Sequence, residues 1–166
     1  MKNMKKIIAA TIVGIMLLSI AGCAKKIERV RKGDFEDAIE EVFDDDEYGT
    51  YADSVYVYDD HYAINFSILD EDDAEDIWEE CLEDYDDMIE DNDFHGRTRR
   101  VDTDTYGYIL LNGELDDDDF LGDRDYVYGG IFYIEDEYIA VLTDKDKDDY
   151  RDNVDTILDA LGFPHP

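Results

Sequence analysis

Residues 54–89 read SVYVYDDHYAINFSILDEDDAEDIWEECLEDYDDMI, two strands and a helix in succession. Tyr, Val, Ile and Phe dominate Ser54–Asp59 and His61–Leu69, residue types that suit a pleated, half-buried surface. Asp59 and Asp60 supply the turn, so the pair is a hairpin. The pattern then changes period. Ala74, Ile77, Trp78, Cys81, Leu82, Tyr85, Met88 and Ile89 recur at helical spacing and form one apolar stripe from about Asp70 to Ile89. Asp70, Glu71, Asp72 and Asp73 crowd its start, where the helix dipole favours acids. A hairpin feeding an amphipathic helix must bury the helix stripe on a sheet face, which points to an α+β fold.

The flanks extend this pattern. Upstream, Phe35, Ala38, Ile39, Val42 and Phe43 define a first helix over Asp34–Phe43, with Asp34 as N-cap. The acidic run Asp44–Glu47 repels itself at the negative end of the dipole and ends that helix. Downstream, Arg97–Asp102 and Thr105–Leu111 read as strands, followed by Asn112-Gly113 and an acidic loop through Asp119. Tyr126–Ile134 and Tyr138–Thr143 form a last hairpin with Glu135-Asp136-Glu137 at its tip. Lys147–Leu161 is the last helix, with Tyr150, Val154, Ile157, Leu158 and Leu161 inward, Gly162 as C-cap glycine and Pro164 barring continuation. The expected order is α-ββ-α-ββββ-α: an antiparallel sheet of about six strands with three helices packed on it, after an N-terminal signal helix.

Charge narrows the functional classes. The 166 residues carry 47 acids against 15 Lys and Arg, a net charge of −32. Phosphate contacts need clustered cations, so nucleic acid is excluded as a partner class. With 13 Tyr, 7 Phe and 1 Trp the chain has aromatics enough for a core and is no disordered acidic tail. If Cys23 is modified, Cys81 stands alone and no disulfide framework exists.

The chain starts MKNMKKIIAATIVGIMLLSIAGC. Lys2, Lys5 and Lys6 precede an apolar run from Ile7 to Ile20. That run is short of the ~20 residues a spanning helix needs. Basic n-region, short apolar region and small residues before a cut site are the marks of a signal peptide. The end of this stretch, Ile20-Ala21-Gly22-Cys23, resembles the lipobox of bacterial lipoproteins. That resemblance implies a diacylglycerol on the Cys23 thiol and cleavage just before it. With Ala24 next, it gives no inner-membrane retention signal. The expected organisation is a signal peptide over 1–22, lipidated Cys23 and a basic neck over 23–33, and an acidic α+β domain over 34–166. The neck holds Lys25, Lys26, Arg29, Arg31 and Lys32 against Glu28 alone. Such a segment is drawn to an anionic membrane surface, while the acidic body is repelled by it and held outward; the alternative is a soluble spacer with incidental charge.

Taken together, the lipobox, the basic neck, the Phe35–Ala38 helix, the hairpin ending in the acid-capped helix with Ala74, and the closing Leu161-Gly162-Phe163 resemble small uncharacterised Gram-positive lipoproteins. The resemblance implies a lipid-anchored, extracytoplasmic location at the cell membrane. It brings no activity and no site residues.

Candidate chemistry is sparse. Asp144, Asp146, Asp148, Asp152 and Asp155 place oxygens at positions 1, 3, 5, 9 and 12 of a calcium-type loop. Asp149 stands where glycine makes the sharp turn, Arg151 where an apolar residue is usual, and Asp155 in place of the bidentate Glu. The alternative is that these acids form the solvated first turn of the last helix. The carboxylates Asp116, Asp117, Asp118, Asp119, Asp123 and Asp125 offer diffuse Ca²⁺ binding, at about 10⁻⁴ to 10⁻³ M. His61, His95 and His165 lack zinc-site spacing, and the Ser54 and Ser67 contexts are not those of a nucleophile elbow. Cys81, on an apolar stripe, reads as a buried thiol. Arg97, Arg99 and Arg100 are the basic cluster of the body, either a dock for an anionic ligand or a face paired with acids. The expectation is a non-enzymatic binding or interaction module of the cell envelope, with an unidentified envelope protein or ligand as partner. The alternatives are a calcium-responsive acidic module and a small envelope hydrolase.

Overall fold

A computed structural model describes residues 25–116, 121 and 124–166. The signal stretch, Cys23, and Asp117, Asp118, Asp119 and Asp123 of the acidic loop lie outside the described residues. Helix α1 (Lys32–Glu40) precedes strands β1 (Tyr48–Thr50), β2 (Ser54–Val57) and β3 (Tyr62–Ile68). Helix α2 (Glu71–Glu90) follows, then β4 (Phe94–Asp102), β5 (Tyr106–Leu115), β6 (Tyr126–Ile134), β7 (Glu137–Thr143) and helix α3 (Asp148–Ala160). The strands form one seven-stranded sheet in the order β1-β2-β3-β7-β6-β5-β4, every neighbouring pair antiparallel. The fold is therefore α+β with three helices on an antiparallel sheet, in the helix order the sequence implies.

The helices divide between the two sheet faces. Tyr108, Leu110, Phe132, Ile139 and Val141 pack with Phe35 and Ile39 of α1 and Val154, Ile157 and Leu158 of α3. Their alternates Ile109, Leu111, Ile131, Tyr133 and Leu142 pack with Ala74, Trp78, Tyr85 and Met88 of α2. The central strands are thus buried on both faces, which explains the unbroken apolar runs YILL and YIAVL. Helix α2 also carries the chain from β3 to the far edge strand β4, across β7, β6 and β5. Its Trp78 ring stacks on Tyr133 at 5.8 Å between centroids and 10° between planes. Gly107, where a Cβ would run into the indole, lets the ring lie flat. The Trp78 Nε1–H donates to Asp102 at 3.0 Å, and Asp86 pairs with Arg100 at 2.6 Å.

Three boundaries differ from expectation. Strand β5 runs on through Asn112 and Gly113 instead of turning there. Gly113 pairs with Gly96 of β4, and a Cβ on either glycine would meet the other strand's backbone. Asn-Gly is a turn signal only where the chain is free to turn. Strand β1 went unforeseen because three residues, Tyr-Gly-Thr, carry too little pattern. The capping residue of α1 is Arg31, with Asp34 in the first turn, paired to Arg31 at 2.7 Å. Gly162 caps α3 as expected, with φ of 69°. The Phe163 N–H donates to the Leu158 carbonyl at 2.8 Å and that of Gly162 to Asp159 at 3.0 Å, a Schellman arrangement. Phe163 then lies 4.4 Å from the Phe132 ring.

The expected boundary between neck and domain at Gly33 is also displaced. Ile27 and Val30 are 3% and 6% exposed and belong to the core beside α1. Their neighbour Arg29 reaches Glu137 at 3.0 Å and Asp136 at 2.6 Å. The Val30 N–H donates to the other Glu137 oxygen at 3.0 Å. Ile27 and Val30 lie three apart in a segment outside any strand or helix and both turn inward, so the neck packs as the first layer of the fold.

Burial pushes the Glu137 carboxyl above its ordinary pKa, and the Val30 amide and Arg29 guanidinium hold it back. Removing Arg29 would leave a buried carboxylate without its cation, a class of change that costs up to about 3–5 kcal/mol and less where, as here, one partner is half exposed. Arg29→Ala is therefore expected to destabilise the domain most near neutral pH. As pH falls through the raised Glu137 pKa the carboxyl takes up a proton and no longer needs the cation, so the deficit shrinks. Urea unfolding of both proteins across this range checks the sign.

Candidate functional site

Helix α2 covers β5, β6 and part of β7, and among the described residues the β3–β2–β1 side of that face has no helix over it. Along this border runs an open trough of about 490 Å³. Its floor is Ala63 and Asn65 of β3 with Tyr138 and Ala140 of β7. Asn65 pairs with Ala140 across the two strands, and the small side chains make the depression. Ile77 and Cys81 of α2, four apart and so on one helix face, form one wall. Glu80 and Asp84 rim that wall, and Tyr56 of β2 stands opposite.

Tyr56 belongs to a cluster. Tyr51 stacks on it at 5.9 Å and 19°, and Tyr58 meets it edge-on at 5.1 Å and 86°. The cluster rests on the edge strand at Gly49, which pairs with Tyr56. A Cβ at Gly49 would collide with the outer end of Tyr58. Tyr51 and Tyr58 are 66% and 56% exposed, so most of this aromatic surface faces water. A hydrogen bond with Tyr58, then burial, pushes the Tyr56 phenol up to about 12. At neutral pH the trough wall is therefore uncharged on the tyrosine side and anionic on the α2 side.

Cys81 is half-buried beside the Tyr138 hydroxyl, 3.9 Å away. Burial raises its thiol pKa, and Asp84 and Glu80 push the same way. A reactive thiolate needs the opposite surroundings.

The acids of the calcium-type loop turn to cations and hydroxyls around them. Asp144 lies 3.5 Å from His61 and 3.2 Å from Lys145. Asp146 and Asp148 share Arg151, at 3.1 and 2.7 Å. Asp155 accepts the Tyr128 hydroxyl at 2.8 Å and meets His165 at 2.7 Å. Asp152 is exposed on α3. Among the described residues no three His, Cys, Asp or Glu side chains converge as metal ligands. Asp116 pairs with His95 at 2.8 Å, and none of the three histidines lines the trough.

Alternation separates the arginines as expected. Arg100 turns to Asp86 on the α2 face. Arg97 and Arg99 face the other way, over Leu110, where they border a cavity of about 270 Å³ with His165 and Pro166. The Arg99 guanidinium sits 5.6 Å from the Tyr108 ring centre.

Comparison of the chain with protein-family models, with curated proteins and with solved structures finds no match.

The tyrosine cluster has no signature in the sequence. Period-two alternation puts Tyr56 and Tyr58 on one strand face, but no residue announces that the helix on that face stops short. Replacing Tyr58 by Phe removes the hydrogen bond that raises Tyr56 most. The Tyr56 ring is then expected to titrate closer to the ordinary phenol range, with the fold intact. NMR titration of ring-labelled tyrosines reads that shift, and an unmoved Tyr56 would place the cause in burial and the Tyr51 contact.

Proposed function

We propose that this chain is a lipid-anchored extracytoplasmic lipoprotein that acts as a non-enzymatic binding module of the cell envelope, with the trough between α2 and β2–β3 as its contact surface. The observation that carries the binding part is the exposed tyrosine cluster beside a recess floored by small side chains. A soluble surface rarely leaves large contiguous apolar area in water unless something covers it. The half-buried, acid-flanked Cys81 and the histidines outside the trough fit binding better than chemistry.

The anchoring part rests on the signal stretch and its lipobox-like end. The docked neck supports a specific form of it. Ile27 is already buried in the core, so an acylated Cys23 would stand roughly 14 Å or less from the domain even with the backbone fully extended. The domain would sit against the bilayer and not on a stalk. Four neck cations are already engaged with the domain. Lys25 donates to the Phe163 carbonyl at 3.3 Å and Arg29 holds the β6–β7 turn. Arg31 and Lys32 pair with Asp34 and Glu36. The exposed Arg31–Asp34 pair is weak enough to exchange for a lipid headgroup. Among the described residues no helix is long and apolar enough to cross a membrane, so attachment on this reading depends on Cys23.

Replacing Cys23 by Ala should move the protein from the membrane fraction to the soluble fraction. Membrane retention of the variant that still requires detergent for release would overturn lipid anchoring.

A further inference from the structure

The trough combines three surfaces that seldom meet: a shallow, uncharged floor, a neutral aromatic wall and an anionic helical wall. Each narrows the occupant. Ala63 and Ala140 give the floor room for aliphatic side chains without a deep pocket to enclose a compact ligand. The faces of Tyr51, Tyr56 and Tyr58 attract cations through the ring quadrupole. Across from them Glu80 and Asp84 line the rim of a helix, Glu71–Glu90, that carries twelve acids and neither Lys nor Arg. A recess bounded by one sign of charge concentrates ligands of the other sign. Anionic ligands are disfavoured at this site for the same reason. Among the described residues the recess is an open trough, with Leu121 on its lining and β2 and the three-residue edge strand β1 on its far side. That shape suits an extended chain lying along it.

From these surfaces we infer that the trough takes an extended peptide segment of a protein partner in which lysine or arginine side chains alternate with aliphatic ones. The aliphatic side chains lie on the Ala63–Ala140 floor. The cations sit between the tyrosine rings and the carboxylates of α2. This rests on the reading of the chain as a binding module and names the chemistry of what that module holds.

The test uses the full-length chain in non-ionic detergent and a synthetic peptide of alternating Lys and Leu, followed by calorimetry at physiological ionic strength. Glu-Leu peptide and spermine are the controls. The Lys-Leu peptide should bind, and the Glu-Leu peptide should not. Spermine should bind more weakly, having no groups for the floor. The double variant Tyr51→Ala/Tyr58→Ala should weaken binding about tenfold. Ala63→Leu, which fills the floor, should weaken it further. The rim pair Glu80→Gln/Asp84→Asn should weaken binding about tenfold, while the remote pair Asp45→Asn/Asp46→Asn, which removes the same number of charges, should leave the affinity unchanged. Equal losses from the remote and trough variants, or spermine binding as tightly as the peptide, would reduce the interaction to diffuse attraction by a polyanion and overturn the proposal. A photo-crosslinker at Tyr58 in cells separates the two levels of inference. An envelope partner captured there, with the Lys-Leu peptide failing to bind, overturns the cationic occupant and leaves the binding module standing. Neither capture nor peptide binding overturns both.

Discussion

The burial of β5, β6 and β7 on both faces governs the architecture. These strands form the middle of a sheet in a chain with 47 acids, and their side chains must be shielded above and below. One face is closed by α1, α3 and the docked neck, the other by α2. Because α2 is a single helix, it covers only the width of two to three strands. A helix with its side chains is about 10–12 Å across and strands are spaced about 4.8 Å apart. The sheet has seven strands, so a strip of that second face is left to be covered otherwise or to remain open. The trough follows from this mismatch between helix width and sheet width.

Charge shapes the same structure from outside. The acids lie mainly on exposed helix faces and turns, where water solvates them, and the scarce cations are spent at joints. Arg29 binds the neck to the β6–β7 turn, Arg100 ties β4 to α2, and Arg151 holds two carboxylates at the start of α3. A chain of this net charge repels itself in the compact state, and the repulsion weakens as salt screens it. The one buried acid with a clear role, Glu137, is held by a guanidinium and a backbone amide, which is how a buried carboxylate avoids a full desolvation penalty.

Much of the fold could be read from residue pattern because local rules and global structure agree there. The stripe from Ala74 to Met88 is the buried face of α2. Gly162 caps α3, and the β6–β7 hairpin turns at Glu135-Asp136. The misreadings have a common cause. Asn112-Gly113 has the composition of a turn but is held in β5 by pairing with Gly96. The neck has the composition of a linker, yet Ile27 and Val30 lock it to the core. At both places a partner distant in sequence overrides a local preference. At the calcium-type spacing Asp144 lies beside His61 and Lys145, while Asp146 and Asp148 share Arg151.

The sequence by itself determined the element types, the helix order and the antiparallel class, because periodicity and turn chemistry act over a few residues. It also carries the signal stretch and lipobox-like end on which the proposed location rests. Which face each helix covers, and that α2 stops short of β2 and β3, was decided only by tertiary packing. The candidate surface arises there, from Tyr51, Tyr56, Ala63, Cys81 and Ala140, residues spread over some ninety positions. Their types are ordinary in strands and helices, and only the pairing of β3 with β7 sets the two alanines diagonally across one floor.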